Sequence, residues 1–266
     1  MKKATLLLPF FLSFFGVSLL LSGCSGMLVP SEEEKLMQDA YSLQRVSVLQ
    51  HAINDPIVGY KAGLTSEQGQ QAFKVDEPLV GALFASGFSR SRGAYLLGNY
   101  HDLRLEVELG FILSKPITQP ITVDELPQYI KAMVPIVELP NLRFARKEEI
   151  TAVTLVTSNV ASNHFIMGNT MPFDMEYVND FQATLLKNGE PITQGKATDA
   201  MGDQKEALVW MVNKLLSVNY PINKDNLLIT GALGTMLPAQ KGQYEARFRT
   251  ATMDEHETYI IAFSIR

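Results

Sequence analysis

Cysteine is almost missing from this chain: Cys24 is the only one in 266 residues. A single cysteine excludes an intrachain disulfide and a cysteine metal centre, so stability has to come from packing. Histidine is scarce too. The four histidines, His51, His101, His164 and His256, show no His-x-x-x-His or His-x-Glu spacing, which argues against a zinc-type ligand set. No Gly-x-Gly-x-x-Gly or Gly-x4-Gly-Lys-Ser/Thr run opens a helix, which removes the usual nucleotide-binding loops. Basic charge is short as well, with 23 Lys and Arg against 28 Asp and Glu. That balance gives nucleic acid no support as a partner, and an anionic substrate would need local basic groups or a metal. Internal repeats and low-complexity tracts are absent.

What is present begins with an address. Met1-Lys2-Lys3 is a basic start, Ala4 to Leu21 is almost wholly apolar, and Leu21-Ser-Gly-Cys24 places small residues just before the cysteine. The tetrapeptide is similar to a lipobox, in which the signal is cut before the cysteine and Cys24 is acylated as the new N-terminus. A retained transmembrane anchor fits less well, because the run is barely long enough and contains Pro9. Ser25 after the cysteine, in place of Asp, implies a bacterial outer-membrane lipoprotein facing the periplasm. The expected organisation is a signal peptide over 1–23, a tether over 24–30, a small N-terminal α/β part over 31–78 and a main body over 79–266.

Along the mature chain, Ser31-Glu-Glu-Glu34 reads as a capping box opening a helix to about Ala52, with Leu36, Ala40, Leu43 and the Val46 to Leu49 region on its apolar side. Ile57 to Ala62 reads as a strand, Ser66 to Phe73 as a short helix, Val123 to Met133 as a helix, and Ala207 to Leu216 as another. Past Pro78 strands dominate, among them Leu227–Thr230, Gln243–Phe248 and Thr258–Ile265. The class is α+β, with a helical front and a strand-rich main body.

The chemistry concentrates in acidic residues. From Leu103 to Leu113 every odd position is apolar, the period of a half-buried strand, and Glu106 and Glu108 then point to the same face about 6.6 Å apart. Two like charges on one face call for bulk water, a basic side chain or a cation between them. Glu138, in the apolar run Met133 to Pro140, would carry a costly buried charge and needs a cation or a proton. Three carboxylates with waters would suit the all-oxygen shell of Mg²⁺ or Mn²⁺. On residue pattern alone, Lys61 reads as a solvated strand-end lysine and Asp76 as a turn former before Pro78, while Thr230 is equally the exit of a strand.

Seven blocks in register carry a resemblance over nearly all of the chain from Ala40 onward: Ala40-Tyr41…Gln44, Gly59-Tyr-Lys-Ala-Gly-Leu-Thr65, Val75-Asp-Glu-Pro78, Glu106-Val-Glu108, Pro135-Ile-Val-Glu138, Gly202-Asp203…Ala207-Leu-Val-Trp210 and Thr230-Gly-Ala-Leu-Gly234. Together they resemble the 2-keto-4-pentenoate hydratase family of the fumarylacetoacetate hydrolase superfamily. The resemblance implies a mixed β-roll or sandwich and a divalent metal, Mg²⁺ or Mn²⁺, held by Glu106, Glu108 and Glu138. It further implies Lys61 as electrostatic anchor and catalytic group, Asp76 for proton transfer, and Asn159 and Thr230 with Lys61 around the substrate. The implied reaction is hydration of a 2-hydroxydienoate or its 2-oxo-4-enoate tautomer, in a homo-oligomer. The chain departs from the family at Ser158, where an acidic residue is usual before Asn159, and at Gln204, where proline is usual. The alternatives are a related decarboxylase or carbon–carbon hydrolase, or a noncatalytic lipid-anchored receptor for a small oxo acid or dicarboxylate. No histidine and glutamate pair of the hydrolase type stands near the 87–98 loop.

Overall fold

The computed structural model describes Met1 and residues 30–250 and 258–266. Apart from Met1, the expected signal peptide lies outside the described residues, as do the lipidation site Cys24 and nearly all of the tether. Chain contacts group Glu32–Arg266 as one compact unit.

That unit contains helices α1 (Glu32–His51), α2 (Glu67–Phe73), α3 (Leu126–Tyr129), α4 (Ala152–Thr157) and α5 (Gln204–Ser217). Its strands are β1 (Ile57–Gly63), β2 (Leu79–Phe84), β3 (Phe88–Arg90), β4 (Ala94–Tyr95), β5 (Arg104–Leu113), β6 (Ile130–Leu139), β7 (His164–Met167), β8 (Gln182–Lys187), β9 (Glu190–Lys196), β10 (Leu227–Ala232), β11 (Leu237–Pro238), β12 (Gly242–Arg249) and β13 (Tyr259–Ile265). One sheet runs β2-β1-β10-β5-β6-β7-β3, with β11 paired to β5, and the other runs β4-β13-β12-β8-β9. The mixed two-sheet architecture is the expected class.

Alternation along β5 divides the interior. Leu105, Val107, Leu109 and Phe111 are fully buried in the main core, with Met211 and Leu215 of α5 and with Phe248 and Ile261 of the second sheet. Each such side chain contributes about 1.5–3 kcal/mol by leaving water. On the opposite face a smaller cluster of Leu83, Val134, Ile136, Phe165, Leu227 and Ile229 fills the inside of the larger sheet. The absent Cβ of Gly110 makes room for it, since a Cβ there would stand 2.8 Å from Leu227 and 2.9 Å from Ile136.

Three expectations need correction. The boundary at Pro78 separates nothing, because β1 sits inside the main sheet, parallel to β10 and antiparallel to β2. The helix expected over Val123–Met133 ends at Tyr129; from Ile130 the chain pairs with β5 and β7, and sheet burial overrides local helix propensity. In α1 the buried face is Ala40, Tyr41, Gln44 and Val48, whereas Leu36, Leu43, Val46 and Leu49 are exposed. A polar residue anchors the helix: the fully buried Gln44 amide donates to the carbonyls of Val80 and Val156, both at 2.9 Å, and accepts from the Tyr220 hydroxyl.

Candidate metal centre

Register creates the site. Glu106 on β5 lies directly opposite Glu138 on β6, and Glu108 pairs with Ile136 two residues further in. Carboxylates facing each other across a ladder are unfavourable by themselves. Here one oxygen of each of Glu106, Glu108 and Glu138 falls within 4.8 Å of the others. Glu138 is fully buried, Glu108 nearly so, and Glu106 keeps part of its surface exposed.

Two groups answer this charge. Lys61 pairs with Ile229 across the ladder, on the same face as the carboxylates, and its Nζ stands 2.8 Å from Glu138 Oε2. The approach is a close ion pair between two buried side chains. The second group is a backbone amide. The register of β10 shifts between Ile229 and Ala232, and the Gly231 N–H donates to Glu108 Oε2 at 2.7 Å. Only glycine suits that position: its φ is +118°, and a Cβ would lie 2.1 Å from Thr65 Oγ1.

One ammonium does not offset three carboxylates. Burial raises the Glu106 pKa, Lys61 opposes that rise and Glu138 adds to it, with the outcome about 7. Glu108 is raised well above the ordinary range, by burial first and then by Glu138 and Glu106. Burial would lower the Lys61 ammonium, but Glu138, then Glu106 and Glu108, outweigh it and hold it above its usual value. A buried all-oxygen cluster whose three carboxylates face one ammonium fits a hard divalent cation. Glu106, Glu108 and Glu138 are the residues that would hold it.

The structure thus brings together four of the expected site residues: Glu106, Glu108, Glu138 and Lys61. It leaves three apart. Asp76 is exposed in the bend between α2 and β2 and belongs to no carboxylate cluster among the described residues. The Thr230 hydroxyl is buried on the other face, where it donates to Gln204 Oε1 at 2.5 Å with the Leu109 carbonyl at 3.3 Å, so its committed partners are in the core. The Asn159 amide is bound at both ends to Ala82, accepting from its N–H at 2.7 Å and donating to its carbonyl at 2.9 Å. Asn159, Val160 and Ala161 all have left-handed φ, from +52° to +58°, and their turn rests on β2 and β1, where a Cβ on Gly81 would meet the Asn159 carbonyl and one on Gly63 the Val160 side chain. Asn159 therefore shapes the wall near Lys61 by holding the backbone.

The glycine block at Thr230–Gly234 signals backbone N–H groups aimed at a carboxylate, but not that the Gly231 amide holds Glu108; sequence reasoning also passed over Arg104, which shares the even positions of β5 with both glutamates. His164 meets Tyr95 at a tilt and Tyr100 edge to face outside the cluster, and burial lowers its pKa. A surface cavity of about 690 Å³ lies on β8, β9 and β12, lined in part by Thr184, Gln194, Arg247 and Arg249. None of the carboxylates lines it, so side-chain chemistry and not cavity size nominates the site.

Known proteins agree with this frame. Residues 62–260 match the model of the fumarylacetoacetate (FAA) hydrolase C-terminal family. The chain is 30% identical over 212 residues to a 2-keto-4-pentenoate hydratase of Paraburkholderia xenovorans (strain LB400), covering 77% of each chain. It is equally similar to 2-keto-4-pentenoate hydratase 3 of Pseudomonas putida, with 30% identity over 212 residues and 77% of each chain covered. Among solved structures, 4-oxalocrotonate decarboxylase from Pseudomonas putida G7, complexed with magnesium and adipate, superposes with a TM-score of 0.77 over 86% of each chain at 20% identity, a likeness of fold. From strand register to the span of the match, the chain belongs to the fumarylacetoacetate hydrolase family.

Proposed function

We propose that this protein is a divalent-metal-dependent hydratase of a 2-hydroxydienoate or its 2-oxo-4-enoate tautomer. The observation that carries the reading is the trio Glu106, Glu108 and Glu138 with oxygens within 4.8 Å of one another, buried and faced by a single ammonium. Identity to the two hydratases named above supports the reaction class.

When bound, Mg²⁺ or Mn²⁺ supplies positive charge to the carboxylate and C2 oxygen of a 2-oxo acid. The protein's own groups do the rest. The Gly231 amide fixes Glu108, and Lys61, kept charged by its acidic neighbours, is the cation placed to meet the same end of the substrate. The apolar cluster behind Glu108 excludes water from the inner side. In the reaction a proton moves along the conjugated chain, and water then adds its hydroxyl at C4 and its proton at C3.

The test is ultraviolet turnover of 2-hydroxypenta-2,4-dienoate with Mg²⁺ or Mn²⁺, beside calorimetric titration with oxalate. Turnover is expected in the wild type, and Glu106→Gln and Glu138→Gln are each expected to abolish metal-dependent oxalate binding; unchanged titrations would refute the assignment of these ligands. One observation favours a second reading, a noncatalytic receptor for a small oxo acid: Asp76, the sequence candidate for proton transfer, is exposed. Tight oxalate binding without loss of dienol absorbance would select the receptor. Sequence supports attachment to a bacterial membrane through lipidated Cys24, and mass spectrometry of the membrane fraction, with Cys24→Ser as control, tests it.

A further inference from the structure

The inward face of β5 changes character along its length. Gly110 lies under the apolar cluster, Glu108 is almost fully buried, and Glu106 and Arg104 are each partly exposed. The face is thus apolar beyond Glu108, and Glu106 and Arg104 are its partly exposed polar positions, the side on which a ligand held at the carboxylates would meet a further polar group. Regular alternation places Arg104 on the carboxylate face one repeat beyond Glu106, about 6.6 Å along the strand.

Arg104 is held and incompletely paired. Its side chain is 24% exposed, and Nη2 donates to Asp102 Oδ2 at 2.7 Å, which orients the guanidinium. Its Nε is buried and has no hydrogen-bond partner among the described residues. Guanidinium presents five donors in a fixed fork that matches a carboxylate, and a buried unmatched donor is costly until such an acceptor arrives. Lys61 is already opposite Glu138, so Arg104 is the cation on this strand with a donor to offer.

We propose that Arg104 receives a second carboxylate on the ligand, so that the site prefers a 2-oxo dicarboxylic acid to a 2-oxo monocarboxylic acid of the same length. The proposal rests on the reading of the glutamates as a metal centre for 2-oxo acids. The protein carries a net charge of −5, so its overall field disfavours the extra negative charge, and the preference has to be local.

Calorimetry of the metal-loaded protein with 2-oxohexanoate and with 2-oxohexanedioate tests it, because binding is read without turnover. The diacid is expected to bind at least tenfold more tightly to the wild type. In Arg104→Gln the ratio is expected to fall to near one, and in Arg104→Lys to be partly restored. Equal affinities in the wild type, a comparison that needs no variant, would overturn the role of Arg104 and leave the metal centre standing, as would a ratio unchanged in Arg104→Gln. Binding of neither acid would overturn both.

Discussion

Lys61→Met isolates the electrostatic problem at the centre of the protein. The substitution keeps an unbranched side chain of similar length and removes the ammonium that stands 2.8 Å from Glu138, in a place where Lys61 is 4% and Glu138 0% exposed. Breaking a buried ion pair at one partner costs about 3–5 kcal/mol, because the other charge is left uncompensated. An independent route gives a similar size: neutralising one carboxyl of ordinary pKa near 4.5 at pH 7 costs about 3 kcal/mol, at 1.36 kcal/mol per pH unit. For a domain of this size each kcal/mol lowers the melting temperature by about 2–4 °C, so a fall of roughly 6–20 °C is expected in the presence of EDTA. Saturating Mg²⁺ is expected to narrow that gap, because a divalent ion held by the same carboxylates supplies the missing charge. Thermal unfolding followed by circular dichroism, with and without metal, reads both effects. Wild-type and variant melting within about 2 °C of each other in EDTA, or a gap that Mg²⁺ leaves unchanged, would refute the reasoning.

The metal-free protein is expected to lose stability as pH rises from about 4.5 to 7: Glu106 holds its proton in the folded state through that window, the unfolded chain has already released it, and stability falls where the folded state binds more protons. Melting temperatures in EDTA at pH 5 and pH 7.5 check this, and a higher value at pH 7.5 would contradict it. Gly231→Ala is expected to destabilise by at least about 2 kcal/mol, through the left-handed φ and the Thr65 contact, and to weaken metal affinity by displacing the amide from Glu108; denaturant titration and metal calorimetry read the two effects. Because Asp76 is exposed, Asp76→Asn is expected to change dienoate turnover less than about fivefold, below about 1 kcal/mol in the barrier. A hundredfold loss would show that the segment ahead of β2 reaches the reacting atoms.

Alternation made β5 readable before any coordinates: the period of two from Leu103 to Leu113 places Glu106 and Glu108 together on one face, and β5 has that form. Nothing local, however, states that Glu106 faces Glu138, since register between strands is a property of the whole sheet. The convergence of all three glutamates and the presence of Lys61 came from family resemblance. Thr230, implied by the resemblance to lie around the substrate, neighbours Gly231 in the chain but points to the opposite face, toward Gln204, as alternation along a strand requires. The resemblance implies Asn159 as a substrate-binding residue, but the run of left-handed residues through Val160 and Ala161 is not legible in sequence, since neither carries a turn signal. The helix misread past Tyr129 has the same origin, for Ile130 to Leu139 becomes a strand through its two neighbours.

The uneven burial of the three glutamates has a kinetic meaning. Glu108 and Glu138 are almost fully buried while Glu106 is partly exposed, so an ion held by all three is reached from the Glu106 side, where the organic acid would also sit. A chelator added to the ligand-saturated protein should therefore strip the ion only as fast as the organic acid departs, so that the bound acid times the escape of the metal beneath it.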